Sequence, residues 1–179
     1  MRRISFAAAG FALSMLMLAA PQGWAAAPKA QPAASRAGAV EQGGVYKMAI
    51  DRSVSLNEAA ESMRLRANAL NLQLVAELPM SKQVEAVTGK PQRTIIIFQF
   101  CDAVLAKDLI DANMDFSIYM PCRIALIEDA KGQGWLVMMD VNVDAVAQEK
   151  RLPEALKVRI EAVRKSLLEI MQAGAKGEL

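Results

Sequence analysis

Apolar positions change their period several times along the chain, and each change predicts an element. Val45 to Ile50 alternates roughly and carries β-branched and aromatic residues, which predicts a strand. Ser55-Leu56-Asn57-Glu58 is a capping box. Beyond it Leu56, Ala60, Met63, Ala67 and Leu70 recur at spacings of four and three, one apolar stripe on a helix. Leu72 to Leu78 reads as a second strand, stopped by Pro79. Ser81 opens a short helix with Val84 and Val87, closed by Gly89 and Pro91. Thr94 to Phe100 is nearly unbroken apolar, the pattern of a central strand covered on both faces. Asp102 is a good N-cap for a helix over Ala103 to Ala112 with Leu105 and Leu109 inward. Ile118 to Ile127 is apolar but interrupted by Pro121, a strand entered through a bend. Asp129 to Gly134 is a turn, and Trp135 to Val141 the returning strand of a hairpin.

A long helix follows from Pro153 to about Met171, with Leu156, Ile160, Val163, Leu167 and Ile170 on one stripe. Pro153 suits its first position and Gly174 its end. The stripe either packs on the domain's own sheet or forms a dimer seam; a single stripe ordinarily faces the core. The order β-α-β-α-β-α-β-β-α mixes hairpin and crossover connections. It predicts an α+β fold: a single two-layer domain over residues 44–150, with a mixed, mostly antiparallel sheet and helices on one face, plus the long C-terminal helix within 151–179.

Ahead of that domain the pattern changes character. Arg2 and Arg3 precede an uncharged, mostly apolar run of 17 residues from Ile4 to Ala20, and Gly23-Trp24-Ala25 offers small residues where a signal peptidase cuts. Residues 1–25 are expected to be a cleaved signal peptide, which makes the protein exported and periplasmic; the run is short of the roughly 20 residues a bilayer span needs. No cysteine follows the run, which speaks against a lipoprotein. Residues 26–43, rich in Ala, Pro, Gln and Ser, read as a disordered linker. Nothing later in the chain is long and apolar enough for a membrane span.

Charge narrows the partners. The chain has 21 Lys and Arg against 19 Asp and Glu; without Arg2 and Arg3 the two signs balance. No basic run occurs and stacking aromatics are few, so no nucleic-acid partner is expected. The absence of histidine excludes Ser-His-Asp triads, Cys-His dyads, HExxH zinc sites and His-ligated haem. Thr88-Gly89-Lys90-Pro91 ends like a phosphate loop but lacks the earlier glycine and has Pro91 where Ser or Thr must stand. Gly132-Gln133-Gly134 lacks the third glycine of a dinucleotide loop. Asp108, Asp111 and Asp115 read as a solvated helix side, and Met138-Met139 must point to opposite faces of a strand. No metal site and no catalytic constellation emerges, which favours a non-enzymatic protein.

The remaining chemistry is sulfur. Cys101 falls where a strand ends and the Asp102-capped helix begins, a position where a helix N-terminus lowers a thiol pKa. Cys122 follows Pro121 at the start of the hairpin strand. Four readings stand open: a structural disulfide, worth about 3 kcal/mol for a loop of roughly 20 residues; a reactive or redox pair with Cys101 as nucleophile and Cys122 as resolving thiol; a haem or soft-metal cofactor site using Cys101, Cys122 or Met120; and two buried, inert cysteines.

The stretch Phe98-Gln99-Phe100-Cys101-Asp102, the helix to Ala112, and Ile118-Tyr119-Met120-Pro121-Cys122-Arg123 leading through Glu128-Asp129 to Trp135-Leu136-Val137 resembles the domain of unknown function 302 family. The resemblance covers about Val45 to Val141. It implies a small α+β domain, often a homodimer, with no established activity. It also implies that members without an export signal meet a reducing cytosol, which counts against a disulfide and toward a reactive thiol or ligand. The export signal and the helix beyond Val141 depart from the usual form. The resulting expectation is an exported module that binds a small ligand or an envelope protein.

Overall fold

The computed structural model describes residues 39–42 and 44–178. The expected signal peptide and most of the expected linker lie outside the described residues. Among the described residues six strands form one sheet: β1 (Ala39–Gln42), β2 (Val45–Ala49), β3 (Gln73–Leu78), β4 (Ile95–Cys101), β5 (Cys122–Glu128) and β6 (Gly134–Met139). Their spatial order is β1-β2-β6-β5-β4-β3, and every pairing is antiparallel, the pure limit of the mostly antiparallel sheet expected. Five α-helices accompany it among the described residues: α1 (Leu56–Ala69), α2 (Met80–Thr88), α3 (Ala103–Ala112), α4 (Val143–Glu149) and α5 (Glu154–Lys176). The α+β class, the hairpin β5–β6 and the long C-terminal helix stand as expected.

Strand alternation explains the layers. Phe98, Phe100, Ile124, Leu126, Leu136 and Met138 point to one face and are buried under Ala60, Met63 and Ala67 of α1 and Leu167, Ile170 and Met171 of α5. Ser55 caps α1 as the sequence says: its Oγ accepts from Glu58 N at 3.1 Å and Glu58 Oε2 accepts from Ser55 N at 3.3 Å. The opposite sheet face carries Ile97, Ala125, Ile127, Trp135 and Val137, all partly exposed. This corrects the reading of β4 as covered on both faces. Its triple isoleucine faces the core through Ile96, while Ile95 and Ile97 share the other side with Ala125 and Ile127.

Five further details depart from the sequence reading. Residues 39–42, read as the linker's end, pair with β2, and Gln42 stands opposite Val45. Gly44 takes φ +79°, a left-handed turn conformation just ahead of β2 rather than the boundary of a coil. Ser81 lies inside α2 rather than at its cap, and its buried Oγ accepts from Ile95 N at 3.3 Å. Ile118 and Tyr119 belong to a 3-10 helix, Met114–Tyr119, started by Asn113 Oδ1 on Asp115 N at 2.9 Å and anchored by buried Phe116. Helix α4 was not foreseen; Asn142 caps it through Ala145 N at 2.9 Å, and Val143 and Ala147 are buried.

The end of α5 is the fifth. Gly174 is not its stop: the helix runs on to Lys176, and Gly177, at φ +66°, is the left-handed cap. Gly174 is buried where a Cβ would stand 2.6 Å from Met63 Cγ and 3.2 Å from the Ala59 carbonyl oxygen. It lets α5 approach α1 closely. The apolar stripe of α5 is thereby divided. Leu167 and Ile170 join the main core, while Leu156 and Ile160 pack on a second, smaller cluster around Leu105, Leu109 and Phe116; Val163 touches both.

Candidate functional site

Between those two clusters lies a pocket of about 140 Å³. The end of β4, the start of β5 and the end of β6 form its floor through Cys101, Cys122 and Met138. Helix α3 and the 3-10 helix wall one side with Leu105, Leu109 and Phe116; α4 and α5 wall the other with Val143, Val146 and Ile160. The physical origin is local. Asp102 Oδ1 caps α3 by accepting from Leu105 N at 2.9 Å, which turns the chain sharply off the sheet. That turn separates Leu105 and Leu109 from the main core.

The structure brings all three sulfur residues singled out from the sequence to this pocket: Cys101, Cys122 and Met120. It corrects the disulfide reading. Both thiols are free. The reason is register: Cys122 stands directly opposite Phe100, so Cys101, one residue further, belongs to the other face of the pleat. The expected lowering of the Cys101 pKa is also reversed. Burial pushes that thiol up and the adjoining Asp102 carboxylate adds to it; the helix N-terminus is already occupied by that carboxylate. Burial pushes Cys122 up as well, and charge on Cys101 would raise it further.

Three charged residues contribute to the lining. Asp102 is committed to its cap. Arg164 grips Asp140 with two bonds, Nε to Oδ1 at 2.6 Å and Nη2 to Oδ2 at 2.7 Å. Arg123, exposed on β5, has no ion pair or hydrogen bond among the described residues. Sequence reasoning did not single out Arg123, Arg164 or Asp140; they sit in ordinary strand and helix patterns. The acids weighed as catalytic are each taken by a cation: Asp108 by Arg159 at 2.6 Å, Asp115 by Lys150 at 3.0 Å, and Asp111 by Lys107. Met138 is buried and Met139 exposed, as strand alternation requires. Among the described residues no three Cys, Asp or Glu cluster in a metal-holding arrangement, and no helix is long and apolar enough to cross a membrane.

An open antiparallel sheet, backed by α1 and a long C-terminal helix and ending in a sulfur-floored pocket, defines a small two-layer α+β protein. The chain belongs to the family described as domain of unknown function DUF302, whose model matches residues 46–174. A solved structure, described as the crystal structure of an uncharacterized conserved protein DUF302 from Bacillus stearothermophilus, shares the fold with a TM-score of 0.59 and 14% identity. That match covers 74% of this chain and 98% of the other. No curated protein matches the chain. The family match reaches well into α5, so that helix is part of the family domain rather than an addition to it.

Proposed function

We propose that this protein is a non-enzymatic binding module whose pocket takes a small apolar ligand. The observation that carries this reading is the pocket itself: a space of about 140 Å³ walled by two apolar clusters that meet only at Val163. A cavity of about 150 Å³ lined by Leu, Ile and Phe is enough to hold benzene. The thiols on its floor favour the protonated form, so they act as soft apolar wall rather than as nucleophiles or anionic ligands to a metal or haem iron. The test is titration of the full chain with benzene, followed by NMR. Shifts centred on Leu105, Leu109, Val143 and Val163, abolished in Ala106→Trp, support the reading. Shifts elsewhere, or catalytic turnover of a thiol or disulfide substrate, overturn it.

In this reading the protein acts in the periplasm as a homodimer. Residues 1–25 support the location, and cell fractionation with N-terminal sequencing of the product checks it. The partly exposed sheet face of Ile97, Ala125, Ile127, Trp135 and Val137 supports the dimer, since a second copy would bury it; a stable pairing needs about 800 Å² per partner. Val137→Lys should turn a dimer into a monomer by light scattering, and a wild-type monomer at micromolar concentration refutes the pairing.

A further inference from the structure

The soft side chains of the pocket come from both of its sides. Cys122 pairs with Phe100, and Met138 pairs with Ile124 two residues further along β5, so both stand on the core-side face of the sheet. Cys122 packs against the main core and Met138 is part of it. Across the space, Tyr119 and Met120 pack on the second cluster, to which buried Phe116 belongs. All five residues line the pocket. The Phe116 and Tyr119 rings lie 6.0 Å apart between centroids, tilted by 48°.

A saturated hydrocarbon gains the same from any apolar wall, through exclusion of water and dispersion. An aromatic ring gains more from this one. Its edge and face make favourable contacts with divalent sulfur, and a tilted ring neighbour adds a quadrupolar term. Resting on the pocket-binding reading above, we propose that the ligand is a compound with a single aromatic ring, held between the sulfur atoms of Cys122 and Met138 on the main-core side and Met120 with the Phe116–Tyr119 pair on the other. The volume sets the ring count: about 140 Å³ is close to the cavity of about 150 Å³ that holds one benzene. Burial keeps the Cys122 thiol protonated, so no thiolate charge faces the electron-rich ring.

The experiment is an NMR titration of the full chain, labelled with ¹⁵N and with ¹³C in the methionine methyl groups, using benzene and cyclohexane. The two probes have the same number of carbons, and cyclohexane is the more hydrophobic. Benzene should bind at least roughly fivefold more tightly, the size of one good sulfur–ring contact. Its protons should show cross-relaxation to the methyl groups of Met120 and Met138. Replacing both by leucine conserves volume and removes two sulfur atoms. Met120→Leu with Met138→Leu should weaken benzene several-fold and leave cyclohexane unchanged. Met120→Leu alone, at a partly buried position, should move the ratio in the same direction and serves if the double variant does not fold. Cyclohexane bound as tightly as benzene, or a benzene preference that survives these substitutions, overturns the aromatic assignment while the pocket-binding reading stands. Failure of both probes to bind overturns both.

Discussion

Arg164 of α5 and Asp140 at the end of β6 form a two-bonded pair, 2.6 and 2.7 Å long, with the Asp140 side chain only 3% exposed. The pair ties the C-terminal helix to the sheet beside the pocket. Its two halves are unequal, because Arg164 is a third exposed and Asp140 is sealed. Replacing Arg164 by Met leaves a buried carboxylate without its main partner, so it should cost about 2–3 kcal/mol. Asp140→Asn keeps the shape and an acceptor oxygen, and Arg164, a third exposed, can be hydrated, so it should cost less. Urea unfolding of the two variants checks the order; an Asp140→Asn variant less stable than Arg164→Met would contradict it.

The thiols give a pH prediction. Both Cys101 and Cys122 have folded pKa values raised by burial, so the unfolded chain ionises first as pH rises. Their contribution to stability is full below the ordinary thiol pKa of about 8.5 and is lost as pH climbs toward the folded values. Thermal unfolding midpoints should therefore fall above about pH 8.5, and a Cys101→Ala, Cys122→Ala variant should fall less steeply. Thiol alkylation at neutral pH should be slow at both sites under reducing conditions. Intact mass should be unchanged by reductant. Rapid labelling of Cys101 at pH 7 would show that its thiolate is stabilised after all.

Gly174 and Gly177 should respond differently to alanine. At Gly174 a methyl would press on Met63 Cγ at 2.6 Å and on Leu136 Cδ1 at 3.1 Å in the main core. Overpacking costs about 1–3 kcal/mol and outweighs the helix-propensity gain of about 1 kcal/mol. At Gly177 the cost is the left-handed φ of +66°, of order 1 kcal/mol, with no core side chain displaced but Val54 approached at 3.1 Å. Chemical denaturation should show a loss for both. Only Gly174→Ala should also perturb the methyl resonances of Met63 and Leu136.

Ser62 offers a gain. It is fully buried on α1, and among the described residues its Oγ has no hydrogen-bond partner. Ser62→Ala removes an unsatisfied hydroxyl and raises helix propensity, so the variant should be more stable by about 1 kcal/mol. Loss of stability in Ser62→Ala would mean that the hydroxyl is satisfied in solution.

The elements that local chemistry controls were legible. The Ser55–Glu58 capping box, the Asp102 cap with helix Ala103–Ala112, and the Asp129–Gly134 turn all appear where their residues say. In that turn Asp129 Oδ1 accepts from Lys131 N at 2.8 Å and from Gln133 N at 3.0 Å, and Oδ2 accepts from Trp135 Nε1 at 3.1 Å. Helix α4 was missed because its apolar positions, Val143 and Ala147, are too few to show a period, although Asn142 is a recognisable cap. Val87 lies in the short helix expected around it, yet is 87% exposed, because a helical pattern does not say which face meets the core. The three sulfur residues were legible as candidates; the pocket they line was not, since no local pattern records that α3, α4 and α5 will wall the end of β5.

What the sequence determined alone is the class of fold and the conformation of those segments that carry a strong cap, turn or period, because such signals act over a few residues and do not depend on what lies across the sheet. What tertiary structure decided is everything that depends on register and approach. Pairing Cys122 with Phe100 rather than with Cys101 keeps the two thiols apart. The close packing of α5 on α1 at Gly174 and the division of the α5 stripe between two cores are likewise tertiary, and the pocket lies between those cores. A shift of one residue in a strand reverses every side chain, and no pattern within a single segment records which neighbour it will meet.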